Sequence, residues 1–117
     1  MIATELPIRI GRGLNERGHW GTKHRRAQAE KSAARLAVQA TDEWRAKAIP
    51  LPAVVTLTRI APKALDDDNL AGGFKAVRDG VALALGVDDA DPRVRWRYAQ
   101  ERGQPKHYAA RITIEAA

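Results

Sequence analysis

Between Leu65 and Asp91 the chain reads LDDDNLAGGFKAVRDGVALALGVDDAD, a helical pattern with three carboxylates before it and three after it. Residues 66–91 hold seven of the fourteen acidic side chains against only Lys75 and Arg78, a net charge of −5, and the other 91 residues carry +11. Crowded carboxylates repel one another unless positive charge neutralises them. A polyanion drawn to the basic remainder would also be repelled by this island. Both difficulties vanish if the island takes divalent cations and the partner is nucleic acid. The same stretch dictates local structure. Leu70, Phe74, Val77, Val81 and Leu85 recur with the helical period and fall within a sector of roughly 80°, and Asp68, Lys75 and Asp79 cluster near the opposite side. A helix starting near Asp68 lines those three polar residues up away from the core, and Gly86 stops it.

The neighbouring segments supply a frame. Ala53 to Ile60, AVVTLTRI, predicts a strand with Val55, Leu57 and Arg59 on one face and Val54, Thr56, Thr58 and Ile60 on the other. Through Ala61-Pro62-Lys63-Ala64 it leads to Asp66, so the first carboxylates sit at the end of a rigid element. Residues 5–10 predict a short strand with Leu6, Ile8 and Ile10 on one side. The following segment is rich in glycine and basic residues. Its Arg12, Arg17, Lys23, Arg25 and Arg26 suit contact with a phosphate backbone, the alternative being a solvated surface loop.

From Thr22 or His24 to Lys47 there is no Gly or Pro, which predicts a long helix with Ala33, Leu36, Ala37, Ala40, Trp44 and Ala48 as its buried stripe. Pro50 and Pro52 end it. The last third predicts a hairpin of Arg93–Gln100 and His107–Glu115 around Gly103-Gln104-Pro105. Arg93, Arg95 and Arg97 then form a basic face expected to contact strand phosphates, with Val94, Trp96 and Tyr98 inward. The order strand, helix, strand, helix, strand, strand predicts one α/β (α+β) domain over residues 1–117, a small mixed sheet packed with two helices.

Without cysteine the chain has no disulfides, thiolate metal sites or thiol nucleophile, so any metal is held by oxygen or histidine. No stretch approaches the roughly 20 apolar residues of a membrane span, and the N-terminus lacks the pattern of a signal peptide. The expectation is a soluble, cytoplasmic protein with no membrane partner. A formal charge of +6 favours an anionic partner, most simply nucleic acid.

Phosphodiester hydrolysis needs an activated water, neutralisation of charge at phosphorus and stabilisation of the leaving alkoxide, all of which two Mg²⁺ ions supply. Three or four carboxylates suffice to hold them. Asp66 and Asp68, two apart, project from the same side of an extended segment, and Asp88 or Asp89 returns after the helix to close the cluster. Lys75 is the only lysine between them and is placed to add a positive charge to the transition state. An EF-hand fails because the fifth and twelfth positions are Leu70 and Val77. Gly72-Gly73 lacks the P-loop context. Helix capping accounts for part of the first acidic set but not for the second, which follows the negative end of the helix dipole. His19, His24, His107 and Ser32 form no catalytic constellation.

The run Asp66-x-Asp68-Asn69-Leu70, then Lys75-Ala-Val-x-Asp79, then Asp88-Asp89 resembles the RusA family of Holliday junction resolvases. Asn15 and His19-Trp20 are similar to that family's early Asn and aromatic segment. In the family the lysine stands three residues after the Asn. Here Gly72 occupies that place and Lys75 stands six after, with the following A-V-x-D match favouring Lys75 over Lys63. The resemblance implies a homodimeric endonuclease, often from phages and prophages, that uses Mg²⁺, with Mn²⁺ as a substitute, to cut four-way DNA junctions. It further implies Asp66, Asp68 and Asp89 as metal ligands and Lys75 as the catalytic lysine. The rival expectations are a non-catalytic DNA-binding phage accessory protein and a metal-dependent phosphoesterase acting on nucleotides or RNA.

Overall fold

The inward residues of Ala53–Ala61 are β-branched or aliphatic up to Leu57, and burying them requires a neighbour on each side and a cover on one face. The computed structural model, which describes residues 1–11 and 20–117, supplies both. Its elements are β1 (Ile2–Leu6), α1 (Trp20–Gln39), α2 (Asp42–Arg45), β2 (Ala53–Ala61), α3 (Asp67–Gly73), α4 (Lys75–Leu85), β3 (Val94–Arg102) and β4 (Ala109–Ala116). The strands form one mixed sheet in the order β1-β4-β2-β3. β2 runs parallel to β3, and β4 is antiparallel to both β1 and β2. Ile2, Leu6, Val55, Leu57, Ile112 and Ile114 of the sheet meet Ala34 and Val38 of α1 and Phe74, Val77 and Val81 of the α3–α4 stretch in a single core. The expected α/β (α+β) class, a small mixed sheet packed with helices, is the observed one. None of the described helices is long and apolar enough to cross a membrane.

Four local expectations are corrected. The first strand covers Ile2–Leu6 rather than residues 5–10, because Pro7 has no N–H to continue the ladder. Ile10 is nevertheless fully buried, beyond the strand. The long helix ends at Gln39. Thr41 interrupts it, its hydroxyl donating to Val38 O at 2.7 Å and accepting from Trp44 N as the N-cap of α2.

The buried stripe of α1 is Glu30, Ala34 and Val38; of the expected stripe, Ala33 and Ala37, with Trp44 of α2, pack partly buried against the core, whereas Leu36 is 64% exposed. With alanines on every side of the helix, one leucine is a poor guide to its inner face. Lastly, β3 and β4 do not form a hairpin: β2 lies between them, and the connection steps across its end, where Gly103 N donates to Ala61 O at 3.0 Å. Alternation shows which face of a strand is buried and says nothing about which strand lies beside it.

Helices α1 and α4 approach so closely that a side chain at Gly80 would enter the space of the Lys31 carbonyl oxygen. Trp44 Nε1 donates to Ala84 O at 2.7 Å and ties α2 to the end of α4. Gly86 closes α4 in the left-handed conformation at φ 72°, where an L side chain is strained. Between α3 and α4 the helix breaks at Phe74, whose ring is fully buried. The Gly72-Gly73 pair before it weakens helical continuity.

Candidate active site and nucleic-acid face

Asp66 is the N-cap of α3. Its Oδ1 accepts from Asn69 N and its Oδ2 from Asn69 Nδ2, both at 2.9 Å. Only Asp66 is extended here. Asp68 already lies in the first helical turn, so the two carboxylates do not share one side of an extended segment as expected. Asp67 and Asp68 are exposed, and Asn69 is buried beneath them.

Lys75 opens α4 and holds the centre of the site. Its Nζ donates to Asp79 Oδ1 at 2.9 Å and to Asp89 Oδ2 at 3.2 Å. The hydrogen bond to Asp79, reinforced by Asp89, raises the Lys75 ammonium above its usual range. The same contact, chiefly the hydrogen bond from Lys75, holds the Asp89 carboxyl below the usual carboxylate range. Of the expected line of Asp68, Lys75 and Asp79, only Lys75 and Asp79 share a helix face, because the break at Phe74 puts Asp68 on the separate helix α3; the second acidic set joins them through Asp89.

Asp89 is delivered by a loop that Arg78 braces. Arg78 Nη2 and Trp96 Nε1 both donate to Asp89 O, at 2.9 and 3.0 Å, and Arg78 Nη1 donates to the Tyr98 hydroxyl at 3.1 Å. The guanidinium also lies 4.7 Å from the Trp96 ring centre, within cation–π range, with its Nε 3.5 Å from Asp89 Oδ2. Sequence reasoning missed Arg78 as a site residue, and its only signal was one turn's separation from Lys75. The three acids of this loop have separate tasks. Asp88 accepts from Ala90 N in a local turn, Asp89 faces Lys75, and Asp91 grips Arg93.

The paired hydrogen bonds from Arg93, with its backbone N–H, pull the Asp91 carboxyl down to about 2. A carboxyl depressed in the fold contributes stability above its unfolded pKa, and that contribution is lost as pH falls through the folded value. For Asp91 the window lies between about 4 and about 2. A proton titration followed by NMR is expected to show Asp91 ionised well below the usual carboxylate range, and Arg93→Gln should return it towards an ordinary value. Normal titration of Asp91 in the unaltered protein would remove this ion pair.

Among the described residues no group of three or more His, Asp or Glu side chains stands close enough to hold a metal ion. Asp66, Asp68 and Asp89 are thus not gathered into one three-ligand set within this chain. Two carboxylates do converge, Asp79 and Asp89, and the Lys75 ammonium stands between them.

The expected phosphate contacts fall in three places. Arg12 and Arg17, together with Asn15 and His19, lie outside the described residues. Lys23 and Arg26 line a cleft of about 310 Å³ with Lys31, Lys75 and Asp79, and Arg25 is exposed nearby on α1. Glu30, whose carboxyl is pushed up by burial against the pull of Arg26 at 3.9 Å, forms part of that wall. Arg95 and Arg97 project, exposed, from the sheet face opposite the core, with Trp96 and Tyr98 turned inward. Arg93 is neutralised by Asp91. No protein-family model matches this chain, and a search of curated proteins finds no match.

Proposed function

We propose that this protein is a structure-selective endodeoxyribonuclease of the RusA type, acting as a homodimer on four-way DNA junctions in recombination and repair. The observation that carries the reading is Lys75, an ammonium fixed between Asp79 and Asp89 within the acidic stretch of a basic protein. Asp66, Asp68 and Asp89 would hold Mg²⁺ once brought together, and the ion would supply the activated water and neutralise charge at phosphorus. The chain's own residues do the rest. Lys75 presents a positive charge, oriented by two carboxylates, to a phosphoryl group in the transition state. Arg78 and Trp96 hold the loop that carries Asp89. Arg26, Lys23, Arg95 and Arg97 offer sequence-independent grip on strand phosphates. A junction with two-fold symmetry, cut on two opposed strands, calls for two such sites related the same way.

A second reading, DNA binding without cleavage, draws support from the two carboxylates that do converge, Asp79 and Asp89, being bridged by the Lys75 ammonium. Synthetic four-way junctions, matched linear duplex and mononucleotide substrates, each with Mg²⁺ and with EDTA, separate the possibilities. Paired nicking of junctions alone, abolished by EDTA, is the expected result. Tight binding without nicking would establish the second reading, and turnover of mononucleotides or linear duplex would sink both.

A further inference from the structure

Arg59 occupies a position on the core face of β2, in line with Val55 and Leu57, and is only 7% exposed. Its Nε donates to Ile10 O at 3.4 Å and its Nη1 to Lys63 O. Both acceptors are neutral carbonyls, and among the described residues no carboxylate pairs with it. Burial first, and then the like charge of Arg9, lower the proton affinity of the guanidinium, with Tyr108 acting the other way. A buried cation with no counter-ion is costly to fold, and a guanidinium has more N–H donors than two carbonyls use.

That guanidinium borders a cavity of about 320 Å³ together with Lys63, Arg102, Gln100 and Glu101. The polar side chains nearest to it are committed elsewhere. Glu101 accepts from Arg111 Nη1 at 2.7 Å. Gln100 clamps the backbone of Leu65, accepting from its N–H at 2.8 Å and donating to its carbonyl at 2.7 Å. Lys63 and Arg102 are exposed at the cavity and form no ion pair among the described residues. The cavity also lies at the carboxyl ends of the parallel strands β2 and β3, where open α/β sheets characteristically take ligands.

We infer that this cavity is a phosphate-binding site, in which Arg59, Lys63 and Arg102 take one phosphate group of a nucleic-acid strand. The clamped loop Pro62–Leu65 leads from it directly to Asp66, so the site holds a strand beside the acidic island. Assignment to a strand rests on the nucleic-acid reading above. Free phosphate offers the same chemistry, and the test has an arm for each source.

The double variant Lys63→Gln/Arg102→Gln changes two exposed side chains and leaves the core untouched. In EDTA, so that cleavage does not enter, it is expected to bind both four-way junction and duplex several-fold more weakly. The slope of its salt dependence should be shallower by about one unit for each phosphate that the variant no longer neutralises. Arg35→Gln, exposed on α1 and outside the cavity, should change neither. In the second arm, inorganic phosphate should raise the melting temperature above that in chloride at equal ionic strength, and the double variant should lose this rise. Arg59→Met should lose it too, read as the difference between phosphate and chloride within that variant, so that any change in its own melting temperature from the lost bonds to Ile10 O and Lys63 O drops out.

Loss of the phosphate effect with unchanged DNA affinity would overturn the strand assignment and establish a site for free phosphate. Unaltered behaviour of the double variant in both arms, or equal weakening by Arg35→Gln, would overturn the site itself. Failure of the nuclease reading is distinguishable: a protein that binds DNA through this cavity and nicks nothing sinks that reading alone.

Discussion

Replacing Lys75 by methionine is expected to slow junction cleavage roughly a hundredfold or more while leaving junction binding close to that of the unaltered protein. The magnitude is that of removing one preorganised electrostatic partner from a transition state. The asymmetry between cleavage and binding follows from the geometry. Losing one positive charge from a protein of net +6 costs only a modest part of its attraction for DNA, whereas the charge Lys75 offers between Asp79 and Asp89 matters most when negative charge builds up on phosphorus. Methionine keeps the length of the side chain and its helix propensity, so α4 should persist.

Removing the ammonium also leaves Asp79 and Asp89 facing one another, and the Asp89 carboxyl should titrate higher in the variant. This change can be followed by NMR whether or not the protein cuts DNA. Asp68→Asn should likewise abolish cleavage, with junction binding retained or tightened because less negative charge faces the phosphates. Unaltered turnover in Lys75→Met would remove the lysine from the chemistry, and lost binding or an unfolded Asp68→Asn would count against the role given to that carboxylate.

Gly80→Ala should destabilise the fold by about 2–3 kcal/mol, the range for forcing extra volume into a tightly packed interior, and lower the melting temperature by roughly 10 °C. The added Cβ would lie 3.0 Å from Ala34 Cβ and closer still to the Lys31 carbonyl oxygen. Backbone atoms cannot swing aside, so α1 and α4 would have to separate. The sign makes the prediction discriminating: in an exposed helix the same change stabilises by about 1 kcal/mol, because alanine is the better helix former. Urea denaturation should show a lower midpoint with an unchanged slope. A variant as stable as the parent would mean that the two helices do not meet at Gly80.

Much of the site's local wiring could be read along the chain. The spacing of Leu70, Phe74, Val77 and Val81 placed them inside, and the same period put Lys75 and Asp79 on one outer line, where they now pair. Alternation in β2 set Arg59 on the same face as Val55 and Leu57, and the structure buries all three. The break at Thr41 was harder to see, since a helix-compatible run surrounds it and the interruption depends on one hydroxyl capping the next turn. The bracing of Asp89 was invisible. Arg78, Trp96 and Tyr98 lie up to twenty residues apart, and only the parallel pairing of β3 with β2 brings them together.

Periodicity and charge, which depend on neighbours along the backbone, determined the class of fold, the inward faces of β2 and α4, and the separation of an acidic island from a basic remainder. Tertiary structure alone decided that β4 inserts between β1 and β2, that Asp89 rather than Asp88 or Asp91 meets Lys75, and that Arg59 donates to the carbonyls of Ile10 and Lys63 and meets no carboxylate among the described residues. The physical reason is that strand order and charge pairing depend on contacts between residues far apart in the chain. A face with the right period can be satisfied by several neighbours, and which one it meets is settled when the whole core is packed.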